Sequence, residues 1–152
     1  MGNRAKPKAA RRTLDLGALG DFVGFRVRLA QIRVFRDFER SLAELGVTPA
    51  SFSVLEVLRA NPGATQTRLA NAVHLDRSSV VPLLDKLEQR GLLRREASTT
   101  DRRNNHLYLS AQGVALLAAA MARVREHEQR MTGRLSVPEK KLLVSLLGRI
   151  GE

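Results

Sequence analysis

Polar side chains at the start of a helical segment have the types and spacing to recognise a nucleic acid. Arg77, Ser78 and Ser79 follow directly after Asp76, where apolar residues begin to recur with helical periodicity. An arginine guanidinium can hydrogen-bond O6 and N7 of guanine together, and a serine hydroxyl can donate or accept at several bases. These residues predict a surface that reads base edges in duplex DNA.

A second polar group forms a basic tip between two short apolar segments and comprises Arg102, Arg103, Asn104 and Asn105. A protruding arginine suits the narrow, electronegative minor groove of A·T-rich DNA. Asp101 is expected to hold the tip by pairing with a nearby arginine. By itself the tip has a second interpretation, a solvated charged hairpin, but its position directly after the first group favours DNA.

Three further residues join the candidate DNA contacts. Gln66 and Thr67 open the preceding helical segment, where backbone N–H groups and the helix dipole suit a phosphate. Arg95 lies on the apolar segment that leads to the basic tip.

Periodicity, capping residues and turn residues predict the elements that position these side chains. Thr48, Thr65, Asp76 and Ser110 are predicted helix caps, and the run 136–139 is a predicted capping box. The predicted helices span residues 14–45, 49–61, 66–73, 77–90, 110–131 and 136–150, and the predicted strands span 92–96 and 106–109.

The resulting order, α-α-α-α-β-β-α-α, is typical of a mainly α fold with a small β-hairpin wing, a winged helix-turn-helix. Residues 74–76 form the short turn of the helix-turn-helix, so the helix that follows is expected to enter the major groove. Pro82 is a local exception because it lies inside that helix. It removes a hydrogen bond to Ser78 and is expected to kink the helix.

Composition restricts the partners and the chemistry. The net charge of +11 favours a polyanion, with nucleic acid ahead of an anionic membrane surface. The chain has no Cys, which excludes disulfides, thiolate metal sites and thiol-based redox sensing. Its three His residues match no metal-ligand spacing and are interpreted as ordinary surface or core residues.

The N-terminal residues 1–12 are basic and nearly devoid of apolar side chains, which predicts a disordered arm. The arm either contacts DNA phosphates or is a solvated tail, and both interpretations stay open. The longest apolar run, 114–122, is shorter than the about 20 residues that cross a bilayer. With no signal-peptide pattern at the N-terminus, a cytoplasmic location is expected.

In residues 87–95, LEQRGLLRR, and in a wing pattern of Asp-x-Arg followed after five residues by Leu-Thr-x-x-Gly, the chain resembles the MarR family of bacterial regulators. The residues that match this pattern are Asp101, Arg103, Leu109, Ser110 and Gly113, with Ser110 in place of the more common Thr. The order of helices matches from about residue 14 to residue 150.

The resemblance implies a homodimer that binds a palindromic operator, usually as a repressor. It implies dimerisation helices in residues 13–46 and 110–152 and a DNA-binding domain in residues 47–109. It also implies an effector pocket between the first, second and fifth helices. Because the chain has no Cys, it lies outside the peroxide-sensing branch of the family, and a small-molecule effector is expected.

The first helix suggests the chemistry of that effector. Arg26, Arg33 and Arg36 lie within about 80° of one another around the helix axis, among the apolar side chains of Phe22 and Leu29. Several guanidinium groups beside apolar side chains suit an anion with an aromatic or acyl body, such as an aromatic acid or its coenzyme A thioester. The alternative is structural: these arginines pair with Asp37, Glu39, Glu44 or with acidic residues of a partner chain.

A rival function is a basic architectural or RNA-binding protein without sequence specificity. An enzyme is not expected, because the sequence contains no nucleophile–base arrangement, metal-ligand spacing or glycine-rich phosphate loop.

Overall fold

The computed structural model describes residues 14–97 and 105–151. The six helices are α1 (Val23–Leu42), α2 (Pro49–Ala60), α3 (Gln66–Ala72), α4 (Arg77–Gln89), α5 (Ala111–Thr132) and α6 (Val137–Gly148). The strands are β1 (Ala64–Thr65), β2 (Leu93–Ala97) and β3 (Asn105–Leu109), and short 3-10 helices lie at Gly17–Asp21 and Ala43–Leu45. The arm predicted for residues 1–12 lies outside the described residues.

The chain divides into two compact units, with the boundary between Arg33 and Val34. In the first unit, the described residues form the 3-10 helix and the N-terminal half of α1, and no side chain of this segment is buried. The second unit contains the rest of α1 and all other elements.

Most of the core of the second unit lies beneath the helix-turn-helix. Its buried side chains are almost all Leu, Val and Ala, as a chain with 4% aromatic residues requires. Leu84 and Leu87 of α4 pack there with Leu69 of α3, which fixes the two helices against each other. A smaller cluster joins Leu42 and Val47 to Ala120 of α5.

Helix starts follow the caps that the sequence predicts. The side chains of Thr48, Thr65, Asp76, Ser110 and Ser136 each accept a hydrogen bond from a backbone N–H in the first turn of the helix that follows. The capping box of Ser136 and Glu139 is present. A second box joins Thr48 and Ser51. These caps satisfy N–H groups that have no partner inside the helix.

The wing is part of a three-stranded antiparallel sheet in the order β1-β3-β2. β2 and β3 pair from Leu93 opposite Leu109 to Ala97 opposite Asn105, which confirms the predicted hairpin to within a residue at each end. The prediction of two strands was incomplete, because Ala64 and Thr65 add a third strand beside β3. Two residues are too few to show an alternating pattern.

Helix α4, the second helix of the helix-turn-helix (hereafter the recognition helix), continues through Pro82 without a break from Arg77 to Gln89. Pro82 is exposed, whereas Val80, Leu84 and Leu87 are buried on the opposite face. The burial of that apolar face maintains the helix despite the missing hydrogen bond.

Among the described residues, no single helix is long and apolar enough to cross a membrane. α1 with its 3-10 extension passes such a test only together with α2, on length and composition alone.

Candidate DNA-binding surface and effector residues

The helix-turn-helix has a concavity with a volume of about 330 Å³ between α3, the N-terminus of α4 and β3. Four predicted DNA contacts line it: Gln66, Thr67, Arg77 and Asn105. The sequence separates the first and last of these by 39 positions, and the antiparallel sheet brings them to one face.

Asn71 lines the same concavity and was not among the predicted contacts. It lies four residues after Thr67 on α3, a spacing that places two side chains on one helix face. The spacing was therefore a usable signal for this residue.

The Asp76 carboxylate organises the N-terminus of α4. Its Oδ1 accepts hydrogen bonds from the Ser78 hydroxyl at 2.5 Å and from the Ser79 backbone N–H at 2.8 Å, and its Oδ2 accepts from the Ser79 hydroxyl at 2.9 Å. These bonds, the Ser78 bond first, lower the pKa of Asp76 to about 2. Because both serine hydroxyls donate to Asp76, their oxygens present acceptors outward. Ser78, Ser79 and Arg77 are all exposed.

Arg95 is held by acidic side chains of the recognition helix. Its guanidinium bonds Asp85 at 2.6 Å and also contacts Glu88, which lies one turn further along α4. Only 22% of the Arg95 side chain is exposed. Arg95 therefore fastens β2 to α4 through carboxylate partners, and its predicted DNA contact stays a prediction.

The basic tip of the wing lies largely outside the described residues, including Asp101, Arg102, Arg103 and Asn104. Asn105 is described as the first residue of β3, where it is exposed and faces Ala97 of β2. The predicted DNA contacts of the tip remain predictions.

The predicted effector residues lie along one stretch of chain. Phe22 directly precedes α1 and is 58% exposed, and Arg26, Leu29 and Arg33 follow on the helix. The Nε of Arg26 donates to the Gly20 carbonyl at 2.6 Å. Arg36, on the same helix, is exposed and belongs to the second unit.

Two carboxylates that were possible partners of these arginines pair with α5 instead. Asp37 Oδ2 accepts from His127 Nδ1 at 2.8 Å and from Arg130 at 3.0 Å, and Glu44 lies 3.5 Å from Arg123. The His127 hydrogen bond, followed by the Arg130 bond, lowers the pKa of Asp37 below the ordinary value. Asp37 thus connects α1 to α5, and Glu44 connects the following 3-10 helix to α5.

Of the other two histidines, His74 is exposed, and the His106 ring contacts the Gly63 carbonyl at 2.8 Å. Across the described part of the chain, no group of three or more His, Cys, Asp and Glu side chains could hold a metal ion.

A helix-turn-helix whose recognition helix is followed by an antiparallel β-wing defines the class of winged helix-turn-helix DNA-binding proteins. The MarR family model matches residues 47–104. A protein of Thauera aromatica named for transcriptional regulation of the hcr operon is 39% identical over 135 residues, 88% of this chain and 81% of that protein. The chain belongs to the MarR family, and its relatives are transcriptional regulators rather than enzymes.

Solved structures extend the similarity over nearly the whole chain. The transcriptional repressor CouR bound to a 23-mer DNA duplex has a TM-score of 0.88 and 41% identity, covering 92% of this chain and 99% of CouR. CouR bound to p-coumaroyl-CoA has a TM-score of 0.82 and 40% identity with the same coverage. The PcaV regulator from Streptomyces coelicolor with its natural ligand has a TM-score of 0.80 and 25% identity, covering 91% of this chain and 95% of PcaV.

Proposed function

We propose that this protein is a homodimeric transcriptional repressor that binds a palindromic operator and leaves it when an aromatic acyl-coenzyme A binds. The observation that carries the proposal is the similarity to CouR, at about 40% identity, in both a DNA complex and a p-coumaroyl-CoA complex.

For DNA, we propose that α4 enters the major groove with Arg77, Ser78 and Ser79 at the base edges. Gln66 and Thr67 contact phosphate at the start of α3, while Asn105 and the tip residues Arg102, Arg103 and Asn104 contact DNA from the wing. The shared concavity and the exposure of the α4 N-terminus support this arrangement. Arg95 contributes by holding the wing against α4.

For the effector, we propose that Arg26, Arg33 and Arg36 bind phosphates of coenzyme A while Phe22 and Leu29 contact the aromatic acyl group. A single carboxylate needs one arginine, whereas a phosphate-rich ligand can engage several. The alternative pairing of these arginines is weakened because Asp37 and Glu44 already bind cations of α5.

The proposed dimer is supported by apolar surface that a single chain leaves exposed to water. α6 has no buried residue, and the exposed side chains that its helical spacing places on one face include Leu142 at 59%, Leu143 at 42% and Leu146 at 44%. A contiguous apolar patch of this kind marks an interface. We propose residues 13–46 and 110–152 as the dimerisation helices and residues 47–109 as the DNA-binding domain.

The test begins with selection of a binding site from a random duplex library by the wild-type protein. We expect the selection to yield a palindromic site, and we expect the protein to stay bound to that site in the presence of excess random duplex. p-Coumaroyl-CoA should then release the DNA, whereas coenzyme A alone and p-coumarate alone should have weaker effects. The Arg33→Ala variant should lose this response and keep its operator affinity.

The outcomes also separate the rival functions. A non-specific basic protein would enrich no sequence, and its binding would fall steeply with salt on every duplex alike. Release by p-coumarate alone at equal concentration would replace the thioester with the free acid as effector. If Arg33→Ala instead lowers dimer stability and DNA binding together, Arg33 is structural.

A further inference from the structure

Arg90 joins the end of α4 to the end of the 3-10 helix that follows α1. It is the C-cap residue of α4, and its Nη1 donates to the Gly46 carbonyl at 2.6 Å while its Nη2 donates to the Leu45 carbonyl at 3.1 Å. The contact spans 44 and 45 positions of sequence. A single guanidinium thus bridges two elements through two directional hydrogen bonds.

The carbonyls that Arg90 binds are free because of the local backbone. Gly46 adopts the left-handed conformation, with φ 59° and ψ 36°. Its N–H donates to the Ala43 carbonyl, and the N–H of Val47 donates to the Leu42 carbonyl. Those bonds satisfy the carbonyls of Leu42 and Ala43, and the carbonyls of Leu45 and Gly46 accept from Arg90. A cation at this position also complements the negative end of a helical segment.

The segment that Arg90 binds is itself fastened to α5. Arg130 bonds Asp37 at 3.0 Å and the Ser41 hydroxyl at 2.6 Å, and His127 also bonds Asp37. Residues 37–46 are therefore attached to α5 at one end and to α4 at the other.

Apolar packing by itself does not fix this geometry. The cluster beneath the helix-turn-helix and the smaller cluster around Leu42 share Leu116 and Phe52 at their boundary. The shared side chains are only partly buried, and the burial of apolar surface is itself non-directional, so these contacts restrict the angle at the boundary less than the fully buried core does. The paired hydrogen bonds of Arg90 supply direction at the boundary.

We infer that Arg90 is a positioning residue for DNA recognition: it holds α4 at a fixed place relative to α1 and α5, and so sets the half-site spacing that the dimer accepts. The inference rests on the dimeric DNA binding proposed above. α4 has 13 residues, about 20 Å at the usual rise. A small rotation at its Arg90 end therefore displaces Arg77 at the reading end.

The test measures spacing preference on the site selected by the wild-type protein and on a version with one base pair inserted at its centre. The insertion separates the half-sites by about 3.4 Å and rotates them by about 35°. The quantity compared is the affinity for the selected site divided by the affinity for the site with the insertion. Arg90→Ala should reduce this ratio roughly tenfold, the scale of a lost charge-assisted hydrogen bond.

Arg59→Ala is the matched control. Arg59 pairs with Glu56 on its own helix, at 2.7 Å, so its loss changes the net charge equally and removes no bond between elements. Arg59→Ala should keep the wild-type ratio. Arg90→Lys keeps the charge and loses the planar fork, so an intermediate ratio is expected.

The results separate this inference from the proposed function. A wild-type ratio in Arg90→Ala, even with weaker overall binding, contradicts the positioning role, as does a wild-type protein that tolerates the insertion. If Arg90→Ala does not fold, Arg90→Lys decides in the same way. If the wild-type protein selects no site, the proposed function itself is overturned.

Discussion

At the scale of single residues, the N-terminus of the recognition helix depends on one carboxylate. Asp76 caps α4 and also orients Ser78 and Ser79, which are proposed base contacts. Asp76 thus serves both the stability of α4 and the proposed DNA-reading surface at its N-terminus. In both roles its carboxylate accepts hydrogen bonds at the positive end of the helix dipole.

Replacing Asp76 should give a destabilisation that depends on pH. The folded-state pKa is about 2 and the ordinary value is 3.8, so the carboxylate stabilises the protein above about pH 4. That contribution is lost as the pH falls through the folded-state pKa. In urea unfolding, Asp76→Ala should be less stable than wild type at pH 7, with a smaller difference at pH 2.5.

Glu126→Ala is the control for this experiment, because Glu126 is exposed on α5 and outside the reading surface. It should show little effect at either pH. A deficit of Asp76→Ala that is as large at pH 2.5 as at pH 7 would mean that the charged form of Asp76 is not the source of its contribution.

At the scale of elements, the wing is held from two sides. β2 is fastened to α4 by Arg95, and the start of α5 packs directly under the chain that enters β2. The Ser110 N–H donates to the Leu92 carbonyl at 3.1 Å, and the Ser110 hydroxyl donates to the Gly91 carbonyl at 2.5 Å. These bonds couple the wing to the long helix that follows it.

Gly113 should tolerate no side chain. A Cβ at this position would overlap the Leu92 carbonyl oxygen, so the backbone would have to move. Gly113→Ala should cost about 1–3 kcal/mol in unfolding free energy, as overpacking does. Gly148→Ala, at a position where a Cβ meets nothing within 4 Å, should be neutral or slightly stabilising. Equal effects of the two changes in denaturant unfolding would show that the contact at Gly113 can relax.

Removing the acidic partners of Arg95 separates its two possible roles. The double change Asp85→Asn with Glu88→Gln raises the net charge of the chain from +11 to +13. If Arg95 contacts phosphate, freeing it should strengthen operator binding. If Arg95 holds the wing in place, as the ion pairs indicate, specific binding should weaken despite the added charge. The ratio of affinities for operator and random duplex measures the difference, and Glu56→Gln with Glu126→Gln provides a charge-matched control.

At the scale of the whole molecule, the described chain leaves large apolar side chains uncovered at its last helix and in the segment that precedes α1. Leu14 is 89% exposed and Phe22 is 58% exposed, and α6 buries none of its residues. Such surface is costly in water and is expected to be covered in a dimer.

Charge on the apolar face of α6 should therefore produce monomers. Leu142→Glu together with Leu146→Glu, two exposed positions four residues apart on one helix face, is expected to halve the mass measured by light scattering after gel filtration and to abolish high-affinity operator binding. Lys141→Glu, on the same helix but at a polar position, should leave the dimer intact. A dimeric mass in the double variant would exclude α6 from the interface.

The local elements were predictable because their signals lie within a few residues. Caps at Thr48 and Ser110, the stop at Gly46 and the apolar stripe of α4 each depend on neighbours three or four positions away. The same local rules placed Arg77, Gln66 and Thr67 at helix N-termini, and these side chains do share one surface.

The sequence by itself thus determined the order of helices, the hairpin wing and the helix N-termini that carry most of the proposed DNA contacts. Only the tertiary structure decided which side chains meet across long separations. It paired Asp37 with His127, turned Arg95 toward Asp85, and joined Arg90 to Gly46. Any arginine in a basic chain has many possible acidic or carbonyl partners, and only the packing of the elements selects among them. Short-range sequence signals therefore determine α3, α4 and the wing, whereas the long-range hydrogen bonds that position these elements depend on the tertiary fold.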